Sequence, residues 1–149
     1  MYTKEVAVHI DATPEAVYDY VCDLSRHHEW AKTKIDLTVG PAGDNGLPTF
    51  TSVAHAPGSP RAEGKVVAAE RPNRFQYEAR DSSGRYRWTF GISPDGTGSR
   101  LTYLIEQLEV PMWFRVLQPL IFATAGRGMM ESSVSSIKAN VEQAQKASA

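Results

Sequence analysis

The stretch Val6-Ala-Val-His-Ile-Asp-Ala-Thr-Pro-Glu-Ala-Val-Tyr-Asp-Tyr-Val-Cys-Asp-Leu-Ser-Arg-His-His-Glu-Trp30 decides the fold. Val6, Val8 and Ile10 alternate with Glu5, Ala7 and His9, the period-two pattern of a half-buried strand. Thr13 is a good N-cap, Pro14 suits the first helical turn and Glu15 favours the positive end of the helix dipole. Val17, Val21 and Leu24 then give this helix one apolar face, with Tyr20 beside it. Ser25 or Asp23 caps a second short helix that delivers Trp30. A strand followed at once by two small helices, ahead of every other strand, is an unusual order.

Working outward, the next signals are those of a meander. Strands are predicted near Ile35–Val39, Thr49–Ala56 and Lys65–Glu70, the last ended by Arg71-Pro72-Asn73, where proline cannot continue a ladder. Phe75, Tyr77 and Ala79 alternate with Gln76, Glu78 and Arg80. After the tight turn Ser82-Ser83-Gly84, the apolar Tyr86, Trp88, Phe90 and Ile92 alternate with Arg85, Arg87, Thr89 and Gly91. Pro94-Asp-Gly-Thr-Gly98 reads as a hairpin turn, and a last strand covers about Arg100 to Glu109. Short connections throughout predict antiparallel pairing.

From Val110 onward the period becomes helical. Met130, Val134, Ile137 and Val141 fall on one face. That face projects back through Arg127 or Gly126, Ala123, Leu120 and Val116. Pro119 is expected to break or kink the path, leaving a short apolar segment, Met112–Gln118, ahead of a long helix. Ala123, Gly126 and Gly128 are small where leucine would normally pack; they either bring the sheet close or leave volume open. The segment Trp113–Phe122 is too apolar for one helix side to bury. Three roles fit it: a pocket mouth, a homodimer contact or a transient membrane contact.

The opening resembles the START-like superfamily, also called SRPBCC, and in particular its polyketide cyclase/dehydrase and lipid-transport branch. The residues that carry the resemblance are a strand, then Ile10-Asp-Ala-Thr-Pro-Glu-Ala-Val-Tyr-Asp-Tyr-Val21, then Asp23-Leu24, then Glu29-Trp30. The later strand spacing and the last helix extend it over essentially the whole chain. It implies an α+β helix-grip fold: a curved antiparallel sheet of about seven strands around a long C-terminal helix, with two short helices between strands 1 and 2 and an apolar cavity between sheet and helix. Superfamily members include lipid carriers, hormone receptors, cyclases and co-chaperone domains, so the motif is specific for fold and nearly silent on function.

Composition bounds the rest. The 149 residues are the length of one domain, read as 1–149 without repeat or linker, and 42% of them are hydrophobic. A net charge of −1, with scattered basic residues, gives no pull toward nucleic acid. The single cysteine, Cys22, excludes an internal disulfide and reads as a small buried residue of the first helix. No apolar run reaches the roughly 20 residues of a membrane span, and the start of the chain leaves no room for a signal sequence, so a cytoplasmic location is expected.

Catalytic and metal chemistry is sparse. His28-Glu-Trp-Ala-Lys32 begins like a zinc-protease helix but carries lysine where the second histidine must stand. His27 and His28 are adjacent, hence on different helix faces, and read as surface or capping residues. His9 and His55 fall on strands with no carboxylate partner identifiable from sequence. No nucleophile elbow, phosphate loop or dinucleotide fingerprint is present, and no cofactor is implied.

The leading expectation is a protein that binds or transports a hydrophobic small molecule, a lipid, a polyketide-like aromatic or a quinone. Its cavity would lie between the sheet face of Tyr77, Tyr86, Trp88 and Phe90 and the helix face of Ala123, Met130 and Val134. Trp30 would close one end, and Tyr86, Tyr103, Gln107 and Arg127 would orient the ligand. One alternative is a cyclase/aromatase or dehydratase in which a Tyr or His acid works beside an Arg127 that stabilises an enolate. The other is a protein- or membrane-interaction module acting through Trp113–Phe122.

Overall fold

The computed structural model describes residues 2–148, the side chains of 122–125 apart. Strand β1 (Thr3–Ile10) leads into helix α1 (Pro14–Val21), a 3₁₀ turn (Leu24–Arg26) and the short helix α2 (His27–Trp30). Six strands follow: β2 (Ile35–Ala42), β3 (Pro48–Ala54), β4 (Arg61–Glu70), β5 (Arg74–Asp81), β6 (Gly84–Asp95) and β7 (Gly98–Glu109). The chain ends in helix α3 (Met112–Ser148). The strands form one antiparallel sheet in the order β1-β7-β6-β5-β4-β3-β2. This is the helix-grip arrangement that the opening stretch implies.

The local chemistry of that stretch works as its residues suggest. The Thr13 side chain accepts the Ala16 N–H with Pro14 in the first turn, and the Asp23 carboxylate caps the 3₁₀ turn through Ser25 N–H. Cys22 is half-buried, and burial pushes its thiol above the ordinary range, which disfavours a reactive thiolate. Register shifts at Val39/Ala42, Val66/Ala68 and Arg85/Tyr86 bend three strand pairs and help curve the sheet. At the β5–β6 turn, Asp81 accepts from the Ser83 N–H and hydroxyl, and Gly84 takes φ 140°. A Cβ there would stand 2.1 Å from the Glu109 carbonyl, so only glycine fits.

The last helix departs from expectation. α3 is continuous through Pro119. Proline removes the bond that an N–H at this position would give to the carbonyl of Arg115, but both residues are exposed, so water can take up that carbonyl. The apolar face Met130, Val134, Ile137 and Val141 is buried as its spacing predicts. Lys138 Nζ and Glu142 tie this half to β1 and Asp11, through bonds to the His9 carbonyl (2.7 Å) and from the Asp11 N–H (3.1 Å). The first half is different: Trp113 and Leu117 are more than half exposed and Val116 is 81% exposed. Phe122 and Ala123 lie outside the described side chains.

The convex face carries an ion-pair network that the alternation only partly suggested. Arg85 and Arg87 both donate to Glu78, at 2.6–2.9 Å, and Glu78 is only 8% exposed. Glu109 accepts from Arg85 and Arg80, continuing the network across β5, β6 and β7.

Candidate functional site

Alternation places large aromatic rings on the concave face, and the register pairs them. Tyr77 of β5 faces Trp88 of β6, and their rings stack at 5.2 Å and 16°. Phe90 of β6 faces Tyr103 of β7, stacked at 4.7 Å and 5°. Such cross-strand pairs contribute beyond their buried area, about 0.5–1.5 kcal/mol each. Phe50 of β3 lies over Gly64 of β4, where a Cβ would stand 2.2 Å from its ring, and meets Tyr77 edge-on at 5.8 Å.

These rings form one wall of a cavity of about 260 Å³ between the sheet and α3. Trp30 is among its lining residues; it is 3% exposed and edge-on to Phe90 and Tyr103. Met129, Met130 and Ser133 supply the helix side. The exposed Lys32, Pro60 and Arg80, with Asp81, stand at its rim.

A polar anchor positions Trp30. The Tyr20 hydroxyl donates to Glu29 (3.0 Å) and accepts from the Asn140 side-chain N–H (2.8 Å), joining α1, α2 and α3. Burial, with Glu29 adding and the Asn140 bond opposing, pushes the Tyr20 phenol up to about 12. Arg26 sits over the Tyr20 ring at 5.1 Å. The helix carrying Trp30 is therefore fixed from three directions.

Of the residues expected to contact a ligand, Trp30, Tyr77, Tyr86, Trp88, Tyr103 and Met130 line the cavity. Phe90 and Val134 share its faces but are packed into the core beneath it. Gln107 is buried beyond its end: its NH₂ reaches the Tyr86 hydroxyl at 3.4 Å, and its oxygen accepts from Tyr2 N–H and from Gln118. Its polar capacity is thus used within the chain. The Tyr86 phenol needs no ligand partner either, since Ser83 and Gln107 serve it. Arg127 is turned to solvent, with a 70% exposed side chain paired to Glu131 at 2.8 Å. Gly128 has open space around its Cβ position, so it permits no close sheet approach. Ala123 lies outside the described side chains.

His27 was missed by sequence reasoning. Rather than capping at the surface, it lines the cavity, with its ring 4.6 Å from that of Trp30. Burial, with His28 adding, pulls its imidazole down to about 4. Its Nδ1 and the Trp30 indole N–H are buried with no hydrogen-bond partner among the described residues. Burial raises the Tyr77 and Tyr103 phenols well above their ordinary range. The other histidines do have carboxylate partners: His9 lies 2.9 Å from Asp11 and from Asp95, and His55 lies 2.8 Å from Asp36. These are exposed surface pairs, and none of their members lines the cavity.

The arrangement can enclose an apolar molecule against aromatic rings. Among the described residues, no helix is long and apolar enough to cross a membrane. Similar architectures are known. The protein TTHA0849 from Thermus thermophilus shares 22% identity, covering 96% of this chain and 99% of that one, at a TM-score of 0.76. A START superfamily protein from Mycobacterium smegmatis shares 16%, covering 96% and 99%, at 0.73. The di-domain ARO/CYC StfQ of the steffimycin biosynthetic pathway shares 11%, covering 97% of this chain and 52% of its own, at 0.77. A comparison with curated proteins finds no match. Residues 1–142 match the family described as polyketide cyclase / dehydrase and lipid transport. With that match spanning nearly its full length and the helix-grip fold around the cavity, the chain belongs to this polyketide cyclase/dehydrase and lipid transport family.

Proposed function

We propose that this protein binds a compact hydrophobic molecule in the cavity between its sheet and α3, and serves as a carrier or binding protein for it. The observation that carries the reading is the cavity itself, about 260 Å³ and walled by Trp30 and the Tyr77–Trp88 stack. Small-molecule pockets begin at about 300 Å³, so this volume suits two or three fused rings, as in a quinone or a polyketide-like aromatic, better than a long acyl chain. Burial of apolar area supplies most of the affinity, at roughly 25 cal/mol per Å² before the costs of association. Native mass spectrometry of the purified protein, followed by a panel of fused-ring aromatics, quinones and lipids, tests it. Selective binding of the compact rings is the expected result; binding of none overturns the reading.

The cyclase or dehydratase reading draws support from the family and from the tyrosines and histidine in the cavity. Against it, Arg127 faces solvent, which removes the proposed enolate partner. The His27 imidazole and the Tyr77 and Tyr103 phenols are also displaced away from neutrality, where a general acid or base works best. The exposed apolar face of α3 supports an accessory contact, with a second copy or a membrane, beside ligand binding. Sedimentation and vesicle flotation distinguish those two.

A further inference from the structure

The rim of the cavity and the exposed stripe of α3 lie at the same end of the sheet. Register fixes the residues that share this end: Ile35 faces Ala54, Val53 faces Arg61, Asp81 faces Gly84 and Arg85 faces Glu109. Pro111, which leads into α3, packs 3.6 Å from where a Cβ on Gly84 would stand, so the helix starts at this edge. The rim residues Lys32, Pro60, Arg80 and Asp81 belong to the strand ends and links of the same edge. On the first turns of α3, Gln118 donates to Gln107 of β7, while Met112, Trp113, Val116 and Leu117 are 51–81% exposed. Met129, further along, is 43% exposed and lines the cavity. An apolar stripe open to water beside a cavity rim marks a contact surface.

We propose that this end docks on an anionic lipid surface, with the α3 stripe lying in the interface and the cavity rim turned toward the bilayer. The proposal rests on the reading of the α3 face as a contact surface beside ligand binding, and it adds the partner and the orientation. Charge selects that partner. From Val110 to Met130 the only charged residues are Arg115 and Arg127. Lys32, Lys34 and Arg115 are exposed at this end and pair with no carboxylate among the described residues. The acidic groups nearby are already engaged: Asp36 with His55, Asp81 with Ser83, and Glu109 with Arg80 and Arg85. Glu63 offsets Arg61, two residues before it on β4. This end is therefore cationic, although the whole chain carries a net charge of −1. A second copy seated across a two-fold axis would bring these like charges together, whereas the phosphates of an anionic bilayer complement them. Trp113 suits the interface as well, where an apolar ring with one polar atom sits at headgroup level. No described helix is long and apolar enough to cross a membrane, so α3 lies on the surface. A hydrophobic ligand would then pass between bilayer and cavity without crossing water.

Flotation of the full chain with vesicles of phosphatidylcholine alone and of a phosphatidylcholine–phosphatidylglycerol mixture tests this. Binding should favour the anionic vesicles by about tenfold or more. Raising the salt from about 0.1 M to about 1 M should release the protein, as the screening length falls from about 10 Å to about 3 Å. Trp113 is the most exposed of the three tryptophans, so emission should shift to the blue on binding, a readout that needs no variant. Lys34→Gln with Arg115→Gln, neither of which lines the cavity, should weaken binding by about tenfold or more. Val116→Gln with Leu117→Gln should abolish the emission shift; both sites are exposed, so the urea midpoint should stay where it is. Equal binding to the two vesicles would overturn the proposal, as would binding that survives Val116→Gln with Leu117→Gln unchanged. A dimer in sedimentation with no vesicle binding would also overturn it, while leaving the α3 face a contact surface. A monomer that floats with neither vesicle would overturn both. Binding of fused-ring probes in solution is measured separately, so a failure of docking leaves the cavity reading standing.

Discussion

Replacing Ala79 by leucine asks whether the space between sheet and α3 is open in solution. Ala79 sits on the concave face of β5, opposite Gly64 and Tyr86, and lines the cavity. Leucine adds three carbons that can project into the roughly 260 Å³ volume. At about 0.8 kcal/mol per buried carbon the gain approaches 2.4 kcal/mol, and about 0.5–1 kcal/mol of side-chain entropy offsets part of it. A net stabilisation of about 1.5 kcal/mol follows, equivalent to about 3–6 °C in Tm for a chain of this size. Urea unfolding should show a higher midpoint with an unchanged slope. Binding of a fused-ring probe should be lost at the same time, so stability and function move in opposite directions. If the space is already filled by side chains, the added carbons overpack it and destabilise by about 1–3 kcal/mol. Destabilisation with binding intact would refute the cavity.

Glu78→Gln should destabilise the fold by about 1–2 kcal/mol, because it leaves Arg85 and Arg87 facing an uncharged amide; the arginines are about a third exposed, which limits the loss. Burial alone would raise the Glu78 carboxyl, but its bonds to Arg87 and Arg85 hold it below its ordinary 4.5. Its contribution is therefore present above that pH and fades as the medium is acidified below it, and urea midpoints of wild type and variant should converge there. His27 has the opposite chemistry: its imidazole is lowered from 6.5 to about 4, so the unfolded chain binds the proton first and acid destabilises the fold across that interval, by up to about 3 kcal/mol. His27→Gln should lack that part of the decline; an identical pH profile would show the ring to be solvated. Gly64→Val should drive the Phe50 ring into the cavity, since even a Cβ would stand 2.2 Å from it, weakening probe binding and costing about 1–3 kcal/mol of stability by chemical denaturation.

Features set by local chemistry were legible in the sequence. Thr13 caps α1, the alternation of Tyr86, Trp88, Phe90 and Ile92 places them inward, and the spacing of Met130, Val134, Ile137 and Val141 gives the buried face of α3. What was missed depends on contacts between distant segments. Whether Pro119 breaks a helix depends on whether water reaches the carbonyl it frees, and at this exposed site it can. Which residue of the His27–His28 pair turns inward depends on how the preceding 3₁₀ turn sets the phase of α2 against the sheet. Arg127 follows the same logic: its helical phase suggested the cavity face, but its side chain lies in solvent and pairs with Glu131 one turn on. The Tyr86 phenol found its partner only three residues away, at Ser83, a turn geometry that residue types alone do not specify.

The lopsided packing of α3 divides the molecule between two kinds of evolutionary constraint. Ile10, Phe90, Leu101 and Ile137, all fully buried, gather toward the β6–β7 hairpin and the C-terminal half of the helix. The cavity lies toward the other end, where Ala62, Ala79, Trp88 and Ile105 are its walls and much of the helix above is solvent-facing. Mutational drift at the second end can reshape what is bound while the first end keeps the chain folded. Such a scaffold tolerates substitution at one end at little cost to the core at the other, which suits an architecture shared by proteins with as little as 11–22% identity to this chain.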